Sequence, residues 1–336
     1  MTRFETVFGQ KKPVIAMVHL GALPGTPLHD AAGGVEAIIE GAARDLAALQ
    51  AAGVDAVMFG NENDRPYELK VDTASTATMA YVIGRLRDRI TLPFGVNVLW
   101  DPMASIALAA ATGAAFLREI FTGTYASDMG VWAPDAGAAQ RYQHRLGNTG
   151  CALLYNVSAE FAGSLDPRSL PDRARSAVFS SIPDAVLVSG AITGEAARME
   201  DLEAVKRVLP KTPVLANTGV KHATIADVLR VADGCIVGSA LKYDGDTWAA
   251  VDAARAKDFM DKARAARGYC CRPSGAGGAA RTAFGASARQ ARRLRQQGAH
   301  APPRAAGRGP SPPVDIWAEK TGAEGFDLLE GEGGLS

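Results

Sequence analysis

Three side chains able to move protons stand where an apolar run gives way to a loop. They are His19 after residues 14–18, Glu62 two residues past the run 56–60, and Glu160 beyond the run 151–157. A carboxyl or imidazole in hydrogen-bond reach of a substrate acts as general acid or base. Amides and hydroxyls recur at equivalent points: Asn63, Asn97, Asn156, Ser158 and Ser189 with Gly190. These groups suit the hydroxyls of a sugar or ribose. Arg118 lies inside the apolar stretch Phe116-Leu-Arg-Glu-Ile120, where a lone guanidinium is costly, so an acid or a ligand anion must face it. Its neighbour Glu119 belongs to the opposite strand face, so only one of the two points inward. Asp128, in the long loop 122–137, completes the substrate-contacting set.

A second feature is phosphate chemistry. Asn217-Thr-Gly-Val220 follows the run 214–216, and Gly238-Ser239 follows the run 235–237. Small-residue turns of this kind bring backbone N–H groups together, and such concavities bind phosphate without a cationic side chain. Lys242 comes a few residues later and is read as a solvated surface lysine, or as one reaching over the phosphate. Each assignment has a structural counterpart: His19 packed and hydrogen-bonded, Glu62 in a solvated loop, Asp101 capping the helix that begins at Pro102.

Positioning these groups takes eight short apolar runs of strand length, at 14–20, 56–60, 94–99, 116–120, 151–157, 185–188, 214–216 and 235–237. Helical patterns separate them; residues 34–52, for example, carry Val35, Ile38, Ile39, Ala42, Leu46 and Leu49 and end at Gly53. Alternation of this kind without hairpin signals predicts an α/β fold, a (β/α)8 TIM barrel forming a single domain over residues 12–267. Catalytic and binding groups then sit at the carboxyl ends of the strands, and the loops after strands seven and eight hold phosphate. An open doubly wound sheet fits less well, because the first strand lacks a G-x-G-x-x-G turn.

Composition narrows the function further. The chain of 336 residues has 36 basic and 36 acidic side chains. That balance offers nothing to nucleic acid, and no apolar run reaches the length of a membrane span. Four cysteines without CxxC spacing point to a reducing cytoplasm and no structural zinc. No HxH, HExxH, P-loop or G-x-S-x-G pattern is present, so no metal and no cofactor are expected. Residues 268–336 change character: 269–309 is rich in Gly, Ala, Pro and Arg without a single acid, and the remainder turns acidic. This is the composition of a low-complexity, disordered extension, dispensable or non-native to the fold.

The motifs together resemble the BtpA family, which includes SgcQ-like proteins. Those that carry the likeness are Val18-His-Leu-Gly-Ala-Leu-Pro-Gly-Thr-Pro27, Glu62-Asn-Asp-Arg-Pro-Tyr67, Gly95-Val-Asn-Val-Leu99, Phe116-Leu-Arg118 with Asp128, Ser189-Gly-Ala-Ile-Thr-Gly194 and Ile236-Val-Gly-Ser-Ala-Leu-Lys242. The resemblance spans about residues 12–267 and implies a TIM barrel. It also implies a link to photosystem I biogenesis, for which the family is named, and a more general activity on a phosphorylated sugar or nucleoside. Relatives tend to carry an Asp and then a Lys-His pair at the fifth strand end, where this chain has Asn156, Glu160 and Phe161. A mechanism built on that pair is therefore not expected here. The expected partner is a phosphorylated small molecule, and a homo-oligomer is the base-rate expectation for such barrels. The alternative is a non-catalytic assembly factor for photosystem I with peripheral membrane contact.

Overall fold

The computed structural model describes residues 1–9 and 12–267. The tail expected at 268–336 lies outside the described residues.

An element not anticipated from the sequence comes first. Helix α1 (Arg3–Phe8) is held by a capping box: Thr2 Oγ1 accepts from Glu5 N, and the Glu5 carboxylate accepts from Thr2 N at 2.7 Å. Phe4 and Phe8 stack at 4.8 Å, and Phe8 meets Phe116 at 5.1 Å inside the barrel, so α1 plugs its amino-terminal end.

Strands β1 (Val14–His19), β2 (Ala56–Gly60), β3 (Phe94–Asn97), β4 (Phe116–Glu119), β5 (Ala152–Asn156), β6 (Ala185–Val188), β7 (Val214–Ala216) and β8 (Cys235–Val237) follow. All neighbouring pairs are parallel, and β1 pairs with β8 to close the barrel as predicted. Helices α2 (Gly34–Ala52), α3 (Thr73–Leu86), α4 (Pro102–Thr112), α5 (Ala136–Arg145), α6 (Leu170–Ser181), α7 (Met199–Val208), α8 (Ile225–Val231) and α9 (Ala253–Ala266) wrap the outside. Asp101 does cap α4, accepting from Ala104 N at 2.9 Å, with Pro102 at the first position where its missing N–H costs nothing. The carboxylates of Asp72 and Asp252 cap α3 and α9 in the same way.

Period-two alternation sorts every strand. Ile15, Met17, Ala56, Met58, Phe116, Ala152, Leu154, Leu187, Leu215 and Ile236 fill the interior, while Val14, Val57, Val96, Leu117, Leu153, Val186 and Val214 face the helices. A fully buried aliphatic side chain contributes about 1.5–3 kcal/mol, so the two apolar layers are the main source of stability.

Alternation also sets the height of each polar side chain. The same inward face, continued to the last turn of each strand, carries His19, Asn97, Arg118, Asn156, Ser189, Asn217 and Gly238.

Two expectations change. The loop 122–137 contains a hairpin, Tyr125–Ser127 with Gly130–Trp132, and its first strand also pairs with Ala162–Ser164 from the loop after β5. Its two-residue turn, Asp128-Met129, closes on Gly130 at φ +106°, a conformation glycine adopts without steric cost. Second, Gly238-Ser239 runs into a single 3₁₀ turn (Ser239–Leu241) and not a helix. The hairpin escaped notice because each strand has only three residues, too few to show a period.

Candidate functional site

The carboxyl ends of the strands open into a cavity of about 780 Å³. His19, Glu62, Arg118, Glu160, Asn217 and the turns 218–220 and 238–239 all line it. Residues as far apart in sequence as His19 and Ser239 are thus brought to one mouth by the closure of β1 on β8.

Arg118 is the hub. Its Nη1 donates to Asn217 Oδ1 at 3.1 Å, and its Nη2 donates to Asn97 Oδ1 and lies 3.6 Å from Glu62 Oε1. The anion that a buried guanidinium requires is therefore Glu62, with the two amides each accepting one hydrogen bond from it. Asn97 is oriented from behind, because its Nδ2 donates to Arg118 O at 2.9 Å and to Glu119 Oε1 at 2.6 Å. Glu119 does belong to the outer face, yet it is buried at the strand end. Its carboxylate also accepts from Trp100 N and Ile120 N, while burial pushes its pKa up to about 8 against these donors.

On the opposite wall, Ser189 Oγ accepts from Asn156 Nδ2 at 2.8 Å and Asn217 Nδ2 at 2.7 Å. Glu160 accepts from Thr193 Oγ1 at 2.9 Å and Asn217 Nδ2 at 3.3 Å. Asn156, Ser189 and Asn217 thus form a relay that ties Glu160 to Arg118 across the mouth. Ser158 bonds the backbone of Ser189, and Gly190 N donates to Thr218 Oγ1 at 2.6 Å. Asn63 turns away, donating to Leu20 O at 2.6 Å beside a smaller neighbouring cavity of about 280 Å³. Asp128 stands apart: it is exposed in the hairpin turn and does not line the mouth.

Glu62 carries the sharpest chemical signal. Its Oε2 is buried without a partner among the described residues. Gly60 makes room for it, since a Cβ there would fall 2.5 Å from that oxygen. Burial raises the Glu62 carboxyl above the usual carboxylate range, with Arg118 pulling the other way. Glu160 is raised for the same reason, again against Arg118. A buried acid poised to hold or release a proton into a cavity is the signature of general acid–base work.

A raised carboxyl binds its proton more tightly in the fold than in the unfolded chain. Its contribution to stability is present below the ordinary carboxylate pKa and is lost as pH rises through the folded value. Glu62→Gln is therefore expected to flatten the fall in melting temperature as pH rises above the ordinary carboxylate range, each unit of displacement being worth about 1.4 kcal/mol. A variant whose melting temperature falls as steeply as the native chain's would refute this.

His19 sits between two partners. Its Nε2 is 3.6 Å from Glu62 Oε1, and its Nδ1 is 3.0 Å from Lys242 Nζ. Lys242 is neither solvated nor extended over the phosphate turns: it is buried, and Nζ also donates to Thr247 O at 2.7 Å. Burial lowers the pKa of Lys242. Burial, and then Lys242, hold His19 well below the usual imidazole value. Nδ1 also lies 3.4 Å from Thr247 O, but the shorter contact to an ammonium, which offers only donors, favours Nδ1 as acceptor and the ring proton on Nε2, facing Glu62 and the cavity. His19 is thereby set up as a neutral hydrogen-bond donor and not as a base. Across the rim, the Arg65 guanidinium lies 3.6 Å over the Trp248 ring, joining the loop after β2 to the loop after β8.

The phosphate turns line the outer part of the same cavity. The N–H groups of Gly219, Gly238 and Ser239 donate to no acceptor among the described residues. Gly219 is required twice: it has φ +63°, and a Cβ would fall 2.1 Å from Ala196 N. A Cβ at Gly238 would lie 3.1 Å from His19 Cε1, so that turn approaches the imidazole closely. With α8 only seven residues long and α9 far along the chain, the donors here are loop amides and not a helix terminus.

Sequence reasoning missed several members of the site. Beside the mouth, Tyr67, Trp100, Trp132 and Phe161 form an aromatic cluster with ring centroids 5.2–6.3 Å apart, of which Trp100 lines a small cavity with Asn97, Arg118 and Glu160. Thr193 and Thr247 steady Glu160 and Lys242. Arg255 and His222 line the outer cavity. The Ser189–Gly194 motif contained a signal for Thr193; nothing local marks the others, which are brought in by the closure of the barrel. Among the described residues no group of three or more His, Cys, Asp or Glu side chains could hold a metal ion. No described helix is long and apolar enough to cross a membrane.

Comparison with known proteins adds the following. Residues 10–265 match the BtpA family. The sgc region protein SgcQ of Escherichia coli (strain K12) is 49% identical over 262 residues, covering 78% of this chain and 98% of that protein. The photosystem I biogenesis protein BtpA of Synechocystis sp. is 32% identical over 264 residues, covering 78% and 91%. A solved structure, the phosphoribosyl anthranilate isomerase from Thermococcus kodakaraensis, is 15% identical with a TM-score of 0.48, covering 75% of this chain and 99% of its own.

Proposed function

The chain belongs to the BtpA family, and from that premise we propose that it is an enzyme acting by proton transfer on a phosphorylated small molecule of the sugar or nucleoside type. The observation that carries this reading is the pairing, in one cavity, of a buried acid with an unpartnered oxygen and a wall of unsatisfied loop amides. Gly219, Gly238 and Ser239 are half-buried at the cavity wall, and three N–H groups without a protein acceptor on adjoining turns favour an anion. The phosphate occupies the turns Asn217–Val220 and Gly238–Ser239. The rest of the ligand extends inward to Arg118, where Asn97, Asn156 and Ser189 fix the amide and hydroxyl pattern. Glu62 and Glu160, on either side of Arg118, exchange protons with the ligand. His19 donates a hydrogen bond from Nε2 to oxygen as charge builds on it.

The role named for the Synechocystis relative stands as the alternative, a scaffold in photosystem I biogenesis, and ligand binding separates the two. Inorganic phosphate or ribose 5-phosphate at a hundredfold excess over Kd is expected to raise the melting temperature of the full chain by roughly 5–10 °C. Ser239→Asp, which sets a carboxylate against the anion, is expected to abolish that rise while leaving the unliganded melting temperature close to native. If phosphorylated metabolites leave the native chain unmoved, the enzyme reading fails and the scaffold role leads.

A further inference from the structure

We propose that Arg255, on the first turn of α9, is the cation of this phosphate site. The inference rests on the reading above and adds the charge that the loop amides lack. The sequence pattern alone pointed to a cradle made of backbone groups. In the structure Arg255 lines the same cavity as Gly219, Gly238 and Ser239.

Its guanidinium is not neutralised by any described residue. Nε is buried with no partner among the described residues, and no described carboxylate pairs with the head group. Arg267, whose Nε is likewise unpartnered, differs in that its head group pairs with Asp55 at 2.6 Å, and Arg3 pairs with Asp184 at 2.9 Å. A surface arginine would leave Nε to water; here that atom is shut away while the residue faces a cavity.

The backbone of Arg255 is fixed from both sides. Its N–H donates to the capping carboxylate of Asp252 at 3.3 Å, and its carbonyl lies 3.0 Å from His222 Nε2. His222 is therefore committed to placing Arg255 and packs edge-on against Phe259 at 5.2 Å. Opposite the head group is Gly245, where a Cβ would come within 3.6 Å of Nη2, so the side chain lies along the loop that leads back to Ser239 and Thr247. A planar fork of donors beside free amides matches the several oxygens of a terminal phosphate, which a single ammonium does not.

Calorimetric titration of the full chain with inorganic phosphate tests this. Arg255→Met is expected to weaken binding roughly tenfold or more, the effect of losing one charge-assisted pair. Arg255→Lys is expected to recover only part of the loss. Should Arg255→Met unfold, Arg255→Gln provides the same comparison with a helix-compatible polar side chain. If neutral variants bind phosphate as tightly as the native chain while Ser239→Asp does not bind, the cradle stands and the assignment of Arg255 is overturned. If the native chain does not bind phosphate, the cradle itself falls and the cation with it.

Discussion

Arg118→Met is expected to destabilise the protein by about 3–5 kcal/mol at pH 8, the range for removing one partner of a buried charge pair. The guanidinium holds Asn97 and Asn217 and lies between Glu62 and Glu160, so its loss leaves two amide oxygens short of a donor and two acids without a cation. The cost depends on pH. Both carboxyls are raised by burial, and Arg118 is what pulls them back down. Without it they rise further and remain protonated to higher pH. As pH falls the acids take up protons and need the cation less, so the loss is expected to be smaller at pH 5 than at pH 8, tending toward the value of the missing hydrogen bonds, about 1–3 kcal/mol. Arg118→Lys is not expected to rescue the fold, because one ammonium cannot reach two amides on different strands at once. Urea unfolding at the two pH values decides the matter. A penalty under about 1 kcal/mol at pH 8, or one of equal size at pH 5, would show that Arg118 is not the hub.

The second large effect lies at the other end of the barrel. Gly95 faces inward, and a Cβ there would sit 2.3 Å from Phe116 Cε2. That ring cannot retreat, since Phe8 of the amino-terminal plug packs on it at 5.1 Å. Gly95→Val is expected to cost about 3 kcal/mol or more, at the upper end for overpacking a core. Phe116→Leu alone costs less and opens space beside β3. The double variant is expected to be more stable than the sum of its parts by at least ~1 kcal/mol, the sign of a shared cavity. Strict additivity would mean that the ring and the glycine do not share that space. The plug α1 ties this end of the barrel to the site only through strand position, so phosphate binding by the double variant should survive.

The barrel was legible because each strand is short, fully apolar and bounded by loops, and because helical periods separate the strands. Reading alternation forward also set Gly95 and Asn97 on one face and Arg118 and Glu119 on opposite faces, since a period of two needs no tertiary information. The hairpin after β4 and the capped helix α1 were not legible: three residues of strand carry no period, and six residues of helix fall short of two turns. Asp128 shows the limit of motif reading. It belongs to a recognisable pattern, yet the turn that contains it holds it in solvent.

Taken alone, then, the amino-acid order determined the α/β alternation, the strand ends that bear polar groups and the glycines of the two turns, all of which follow from local periodicity and backbone sterics. The fold alone decided the charge state and aim of those groups. Lys242 looks like a surface lysine in its own segment, but the pairing of β1 with β8 buries it against His19, 223 residues away, and so favours the imidazole proton on Nε2. Glu62 owes its raised carboxyl to burial, and Arg255 owes its exposure to the cavity to the return of the last helix. Desolvation and pairing depend on what the rest of the chain places nearby, which no local pattern encodes.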